Sequence, residues 1–258
     1  MQYRVRELGL GAILDQSINL LRDHFGQLFG MVAMTIVPYF MIVGLVKVSI
    51  FVPGDLQSLW TSLIVDAVGI LIFTFLFGPL VHAAVIHAVT NAYLSRPTTI
   101  GACFSHGLRR YWALFGTSLL MRVAVVGGLV LCLVPGIIFL FWFLLAPCIA
   151  VLESTAGLAA LERSKALIKG NILTGFVLGV VVGAINAGMT LGAIVIPQPH
   201  AQVVAVAIVQ GIATLLDTCA LVVFYFSCRC KFENYDLLFL ANAVAAGADA
   251  PSAVKSSG

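Results

Sequence analysis

Charge is what this chain lacks most. Only 10% of its 258 residues are Asp, Glu, Lys or Arg, while 61% are hydrophobic. A water-soluble domain carries about 25% charged and about 45–50% apolar residues, so too little polar surface is left here to coat a globule in water. The composition suits a chain whose solvent is mostly lipid. The net charge of +3 is small, and the cations sit in short clusters between apolar blocks, which argues against a nucleic-acid binder. The motifs of soluble chemistry are missing too: GxSxG, GxxxxGKS/T, HExxH and CxxC do not occur. No enzyme, cofactor or metal site is expected.

Cysteine is sparse and scattered. Cys132, Cys148 and Cys219 fall inside apolar blocks, as small apolar residues do. Cys228-Arg-Cys230 lacks the two-residue gap of metal and redox motifs, and lipidation there is the lesser reading. With Cys103 they make six and imply no disulfide framework. The opening MQYRVRELGLGAILDQ is interrupted by charge before an apolar core forms, unlike a signal peptide.

What the sequence does contain is six apolar blocks. They run from about Leu28 to Val46, Leu59 to Val81 or beyond, Trp112 to Val134, Ile137 to Leu152, Ile172 to Ile196 and Val203 to Ser227. Most reach the roughly 20 residues that cross about 30 Å of hydrocarbon. In lipid their backbones must pair within the segment, so these are helices. The expectation is an all-α polytopic membrane protein with six transmembrane helices in one domain, 1–240, followed by a disordered cytoplasmic tail, 241–258. Uncharged connectors at Pro53-Gly54, Pro135-Gly136 and Pro197 to His200 alternate with longer basic ones. Of the 14 Lys and Arg residues, only Lys47 falls outside and only Arg122 inside a block. This bias puts both termini in the cytoplasm of a bacterial inner membrane protein.

A unit recurs three times, an amphipathic interfacial helix followed by a membrane hairpin. LGAILDQSINLLRDHFGQLFG, IGACFSHGLRRYWALFG and LAALERSKALIKGNILTGF lead the three units. In the first, Leu10, Leu14, Ile18 and Leu21 form an apolar stripe flanked by Ile13 and Phe25. The returning helices carry FLFGP to Pro79, FLLAP to Pro147 and FYFSC to Cys228, the last without proline.

Ionisable groups at membrane depth are functional suspects. Arg122 lies about 15 Å into the third block. Asp217 in the sixth is its first expected partner and Asp66 in the second the alternative, as a structural pair or as part of a pathway. Asn186 and Thr190 are helix-packing groups. His82 and His87 point about 140° apart on one helix, which disfavours a shared metal. Glu153 and Glu162 are expected to be surface charges, with Glu162 weakly paired to Lys165.

Glu153, Gly157, Ala160-Leu161, Arg163-Ser164 and Lys169-Gly170 resemble the signature of a group of bacterial membrane proteins. The group includes YciC-like proteins and the membrane domain sometimes fused to glycerophosphodiester phosphodiesterases. Pro135-Gly136 and Tyr93 to Pro97 are similar to the family pattern, and Ser154 departs from it where relatives often have glycine. The resemblance implies a six-helix membrane domain, and phosphodiesterase chemistry belongs to a separate soluble domain in the fused relatives. The expected function is a membrane scaffold or partner subunit that meets anionic headgroups and a membrane or cytoplasmic protein partner. The alternative is a transporter of a lipid or small molecule.

Overall fold

A computed structural model of the chain describes residues 8–50, 55–94, 96, 98–131 and 133–234. Arg4, Arg6, the Pro53-Gly54 turn, Cys132 and the tail 241–258 lie outside the described residues. Among the described residues every regular element is a helix. In order they are α1 (Leu10–Asp23), α2 (Phe25–Ile50), α3 (Leu56–Ile72), a π-helical turn (Phe73–Phe77), α4 (Gly78–Tyr93), α5 (Ile100–Leu131), α6 (Leu133–Trp142), α7 (Ala146–Leu152), α8 (Leu158–Ile168), α9 (Ile172–Ile194) and α10 (Pro199–Glu233).

Four helices, α2, α5, α9 and α10, are long and apolar enough to cross a membrane, which marks the chain as a membrane protein. The second apolar block carries a π-helical turn, and the fourth is interrupted at residues 143–145. The irregularities fall on FLFGP and FLLAP, with Pro79 and Pro147 in the first turns of α4 and α7. Proline has no N–H, so the carbonyl four residues earlier loses its helical donor. At the first the helix widens into the π turn, and the Gly78 amide reaches back to the Phe73 carbonyl. The Tyr111 hydroxyl of α5 donates to the Phe75 carbonyl at 3.2 Å.

At the second break the backbone tightens. The Leu144 amide donates to Phe141 O at 3.2 Å and the Ala146 amide to Phe143 O at 3.0 Å. That strands the Leu145 N–H and the Trp142 carbonyl. Ser164 of α8 answers both: its Oγ accepts from Leu145 N at 3.1 Å and donates to Trp142 O at 2.8 Å. The third returning helix, α10, has Cys228 in place of a proline and runs unbroken.

Pro135-Gly136 is not the turn between the third and fourth blocks. Both residues lie in the first turn of α6, where proline's missing donor costs nothing. Gly136 has Leu129 Cγ only 2.5 Å from where a Cβ would stand, so the absent side chain lets α5 and α6 close on each other.

Buried residues concentrate in α4, α7, α8, the last turns of α10 and the inner face of α1. Elsewhere α2, α3, α5 and α9 expose large apolar side chains such as Met34, Trp60, Val130 and Leu191, as helices in lipid do. The buried face of α1 is Ile13, Ser17 and Leu20, a rotation from the predicted stripe that leaves Leu10, Leu14 and Leu21 partly buried against the core and Ile18 49% exposed. The rotation has a cause in the neighbours. α1 docks on protein, with the Leu8 amide donating to Ser227 Oγ at 3.0 Å and the Tyr93 hydroxyl to Gln16 Oε1 at 3.2 Å. Ser17 is tolerated inside because its hydroxyl donates to Ile13 O at 2.6 Å.

Removing the Ser164 hydroxyl strands two buried backbone groups at about 1–3 kcal/mol each. At about 2–4 °C per kcal/mol for a chain of this size, Ser164→Ala is therefore expected to lower the melting temperature in detergent by roughly 4–24 °C, with Ser164→Thr retaining most of the stability. An unchanged melting temperature would show that water or backbone relaxation replaces the hydroxyl.

Candidate functional site

The motif between α7 and α9 is built by two reversals of the chain. Glu153 ends α7, and the backbone then turns through Ser154 at φ 63° and Gly157 at φ 64°. With ψ near −137°, Gly157 occupies a region open essentially to glycine alone. Its amide donates to Thr117 Oγ1 at 2.9 Å, which ties the turn to α5. Ser154 stands in the left-handed region, and its hydroxyl is held by Arg110. Gly170, at φ 90°, reverses the chain from α8 into α9, after Lys169 has ended α8.

These turns aim Glu153 and Arg163 at α10. Arg163 Nε donates to Glu153 Oε2 at 2.9 Å, and the other arm of its guanidinium holds Glu233 Oε1. Arg229 Nε donates to Glu233 Oε2 at 2.8 Å and lies 3.9 Å from Glu153 Oε1. The Tyr225 hydroxyl donates to Glu153 Oε1 at 2.8 Å, and Arg229 stands over the Tyr225 ring at 5.7 Å. Two carboxylates and two guanidiniums thus form one closed, neutral ring across α7, α8 and α10. Their side chains are 16–28% exposed, so the ring is screened less than a surface pair. Glu153 is consequently not the surface charge expected: Glu233, eighty positions later, and Arg229 bring charge to it that local spacing does not show. Lys165 does not seek Glu162; its ammonium lies 4.1 Å from the Trp142 ring centroid.

The residues expected at membrane depth are not brought together. Arg122 lies over the Phe75 ring at 5.8 Å, beside His82, while Asp217 neighbours Cys148. Arg122 and Asp217 form no ion pair among the described residues. Asp66 is taken by Lys47 at 2.7 Å. Asn186 accepts from Thr190 Oγ1 through its backbone carbonyl at 2.8 Å, and Gln210 of α10 reaches the same Thr190 hydroxyl at 3.4 Å.

A pair that the sequence did not disclose joins α4 to α5. The His87 and His106 rings stack 4.2 Å apart at 18°, and Asn91 Nδ2 lies 3.1 Å from His87 Nδ1. Stacked rings offer no shared point for a metal, and no group of three or more His, Cys, Asp or Glu is placed to hold one among the described residues.

A family model described as a domain of unknown function, DUF8558, matches residues 103–246, more than half of the chain. The chain belongs to that family. No curated protein and no solved structure matches it. The DUF8558 region takes in most of α5, all of α6 to α10, both motif turns and the whole charged ring. The first hairpin, with Lys47–Asp66 and His87, lies before it.

A double-mutant cycle tests whether the ring acts as a unit. Glu153→Gln and Arg163→Met are each expected to cost about 1–2 kcal/mol, because each leaves a half-buried partner charge unanswered. The double variant should recover about 1 kcal/mol of the sum, read from denaturation in detergent. Strict additivity would mean that the two charges do not sense each other.

Proposed function

We propose that the protein is a non-catalytic integral membrane subunit, a scaffold or partner of another membrane or cytoplasmic protein. The observation that carries this reading is how the motif's polar groups are used. Ser164 mends a helix break, Gly157 and Gly170 turn the chain, and Glu153 and Arg163 close a neutral ring with Arg229 and Glu233. Each has work inside the fold, and this favours an architectural role for the motif over a chemical one.

In this reading the chain crosses a bacterial inner membrane six times as three hairpins, each led by an amphipathic segment. The second and fourth crossings are α3–α4, with its π-helical turn, and the interrupted α6–α7. Both termini face the cytoplasm, where the basic segments meet anionic headgroups. The resemblance to YciC-like and phosphodiesterase-associated membrane domains supports the same architecture. A transporter of a lipid or small molecule is the second reading. It is favoured by Arg122 and Asp217, expected at depth and in separate surroundings, and by one helix widened and another broken mid-chain.

Alkaline phosphatase fusions after Asp55 and Gln198 are expected to be active, and fusions after Arg110 and Lys165 inactive. Affinity purification of the full chain from crosslinked membranes should recover a stoichiometric protein partner. Arg110 and Lys165 reporting opposite sides would overturn the topology. Solute or lipid flux in proteoliposomes without any partner would favour transport.

A further inference from the structure

Asp217 stands one residue past the middle of the 35-residue α10, in a helix long and apolar enough to cross a membrane. A carboxylate there is costly unless something answers it. Among the described residues it makes no hydrogen bond and no ion pair. It is exposed, yet Ala213, Ala220 and Phe224, which share its face at i−4, i+3 and i+7, are buried. The face is packed one turn before Asp217 and one turn after it, and open beside it. The carboxylate therefore looks into a recess. Cys148 of α7, fully buried, lies within its electrostatic reach and belongs to one wall.

The other wall is α9. Phe224 Cζ lies 3.2 Å from where a Gly175 Cβ would stand, and Gln210 Nε2 lies 3.4 Å from Thr190 Oγ1. Between these two contacts the antiparallel register sets Gly183 level with Asp217 and Asn186 level with Thr214. Gly179, Gly183, Asn186 and Thr190 share one face of α9 by helical spacing. A Cβ at Gly183 would meet nothing within 4 Å, so this wall leaves room in front of Asp217. Asn186 Oδ1 is buried and has no hydrogen-bond partner among the described residues. The hydroxyls nearby have spent their donors: Thr190 donates to Asn186 O and Thr214 to Gln210 O, each at 2.8 Å. This level of the two helices thus gathers a carboxylate and oxygen acceptors. No Lys or Arg occurs on α9, or on α10 before Arg229.

We propose that this recess is a binding site for a monovalent cation, held by the Asp217 carboxylate and Asn186 Oδ1. Hard cations take oxygen ligands, and one carboxylate balances one positive charge. A divalent ion is disfavoured, because Asp217 belongs to no group of three or more His, Cys, Asp or Glu among the described residues. The site goes beyond the architectural reading, since it gives a ligand to two polar groups that the fold leaves unanswered. It depends on how α7, α9 and α10 pack, and not on which side the ends of the chain face.

The test is equilibrium binding of radiolabelled sodium and rubidium to the full chain in nanodiscs of neutral lipid, at mildly alkaline pH with choline as the background cation. The wild-type chain is expected to bind at least one of the two ions saturably. Asp217→Asn should abolish that binding. Asn186→Ala should raise the dissociation constant about tenfold or more, as loss of a polar contact to a charge does. Gly183→Leu fills the recess without touching either ligand and should abolish binding too, so the idea stays testable if Asp217→Asn folds poorly. Asp66→Asn, an equal loss of charge elsewhere, should bind as the wild type does. No saturable binding of either ion by the wild-type chain overturns the site. So does wild-type binding in Asp217→Asn or Gly183→Leu. Equal loss in Asp66→Asn and Asp217→Asn would mean diffuse attraction only, and overturns it as well.

Discussion

A backbone that passes through hydrocarbon must satisfy its own amides and carbonyls, since lipid supplies no partner. Proline makes that demand acute, because it removes a donor from the middle of a helix. This chain places prolines in two returning helices, and the neighbours are arranged around the deficits. Tyr111 reaches the freed carbonyl beside the π turn, and Ser164 spans the gap at Phe143–Leu145 from both directions. The fold is therefore held by side chains on segments next to the irregular helices as well as by apolar packing.

Adjacent residues of α8 then perform different tasks. Ser164 faces the α6–α7 break, while Arg163 turns toward α10 and joins Glu153 to Glu233. A short helix thus couples the fourth apolar block to the last one. The turns on either side need conformations that suit glycine, at Gly157 and Gly170. Ser154 occupies a third such position with a side chain, held by Arg110. Coupling across α8 means that the break and the charge at the end of α10 are met by adjacent residues of one short helix. That is a physical basis for the architectural role proposed above.

Much of this was legible in the residues and some was not. Apolar length and cation asymmetry disclosed helices and a membrane protein, and the matching FLFGP and FLLAP strings lie where the two irregularities fall. The strings did not say that the helices would deform there, because that depends on whether a neighbour can answer the freed groups. Pro135-Gly136 read as a turn from composition, yet proline fits a first helical turn equally well. The α1 stripe was displaced because Ser227, Tyr93 and their surroundings decide which face is covered. Glu153 read as a surface charge because Glu233 and Arg229 are far away in sequence. The Arg122–Asp217 pair was inferred from cost alone, and cost does not determine which helices adjoin. His87 and His106 stack across two helices, a relation that no spacing within one helix reveals.

Hydrogen–deuterium exchange of the full chain in lipid nanodiscs tests most directly whether α8 clamps the broken helix to α10. The account predicts that amides of residues 144–146 and 161–168 exchange as slowly as those near Val223 in α10, since opening one would require opening the others. Rapid exchange of the α8 and 144–146 amides, with α10 still protected, would contradict it.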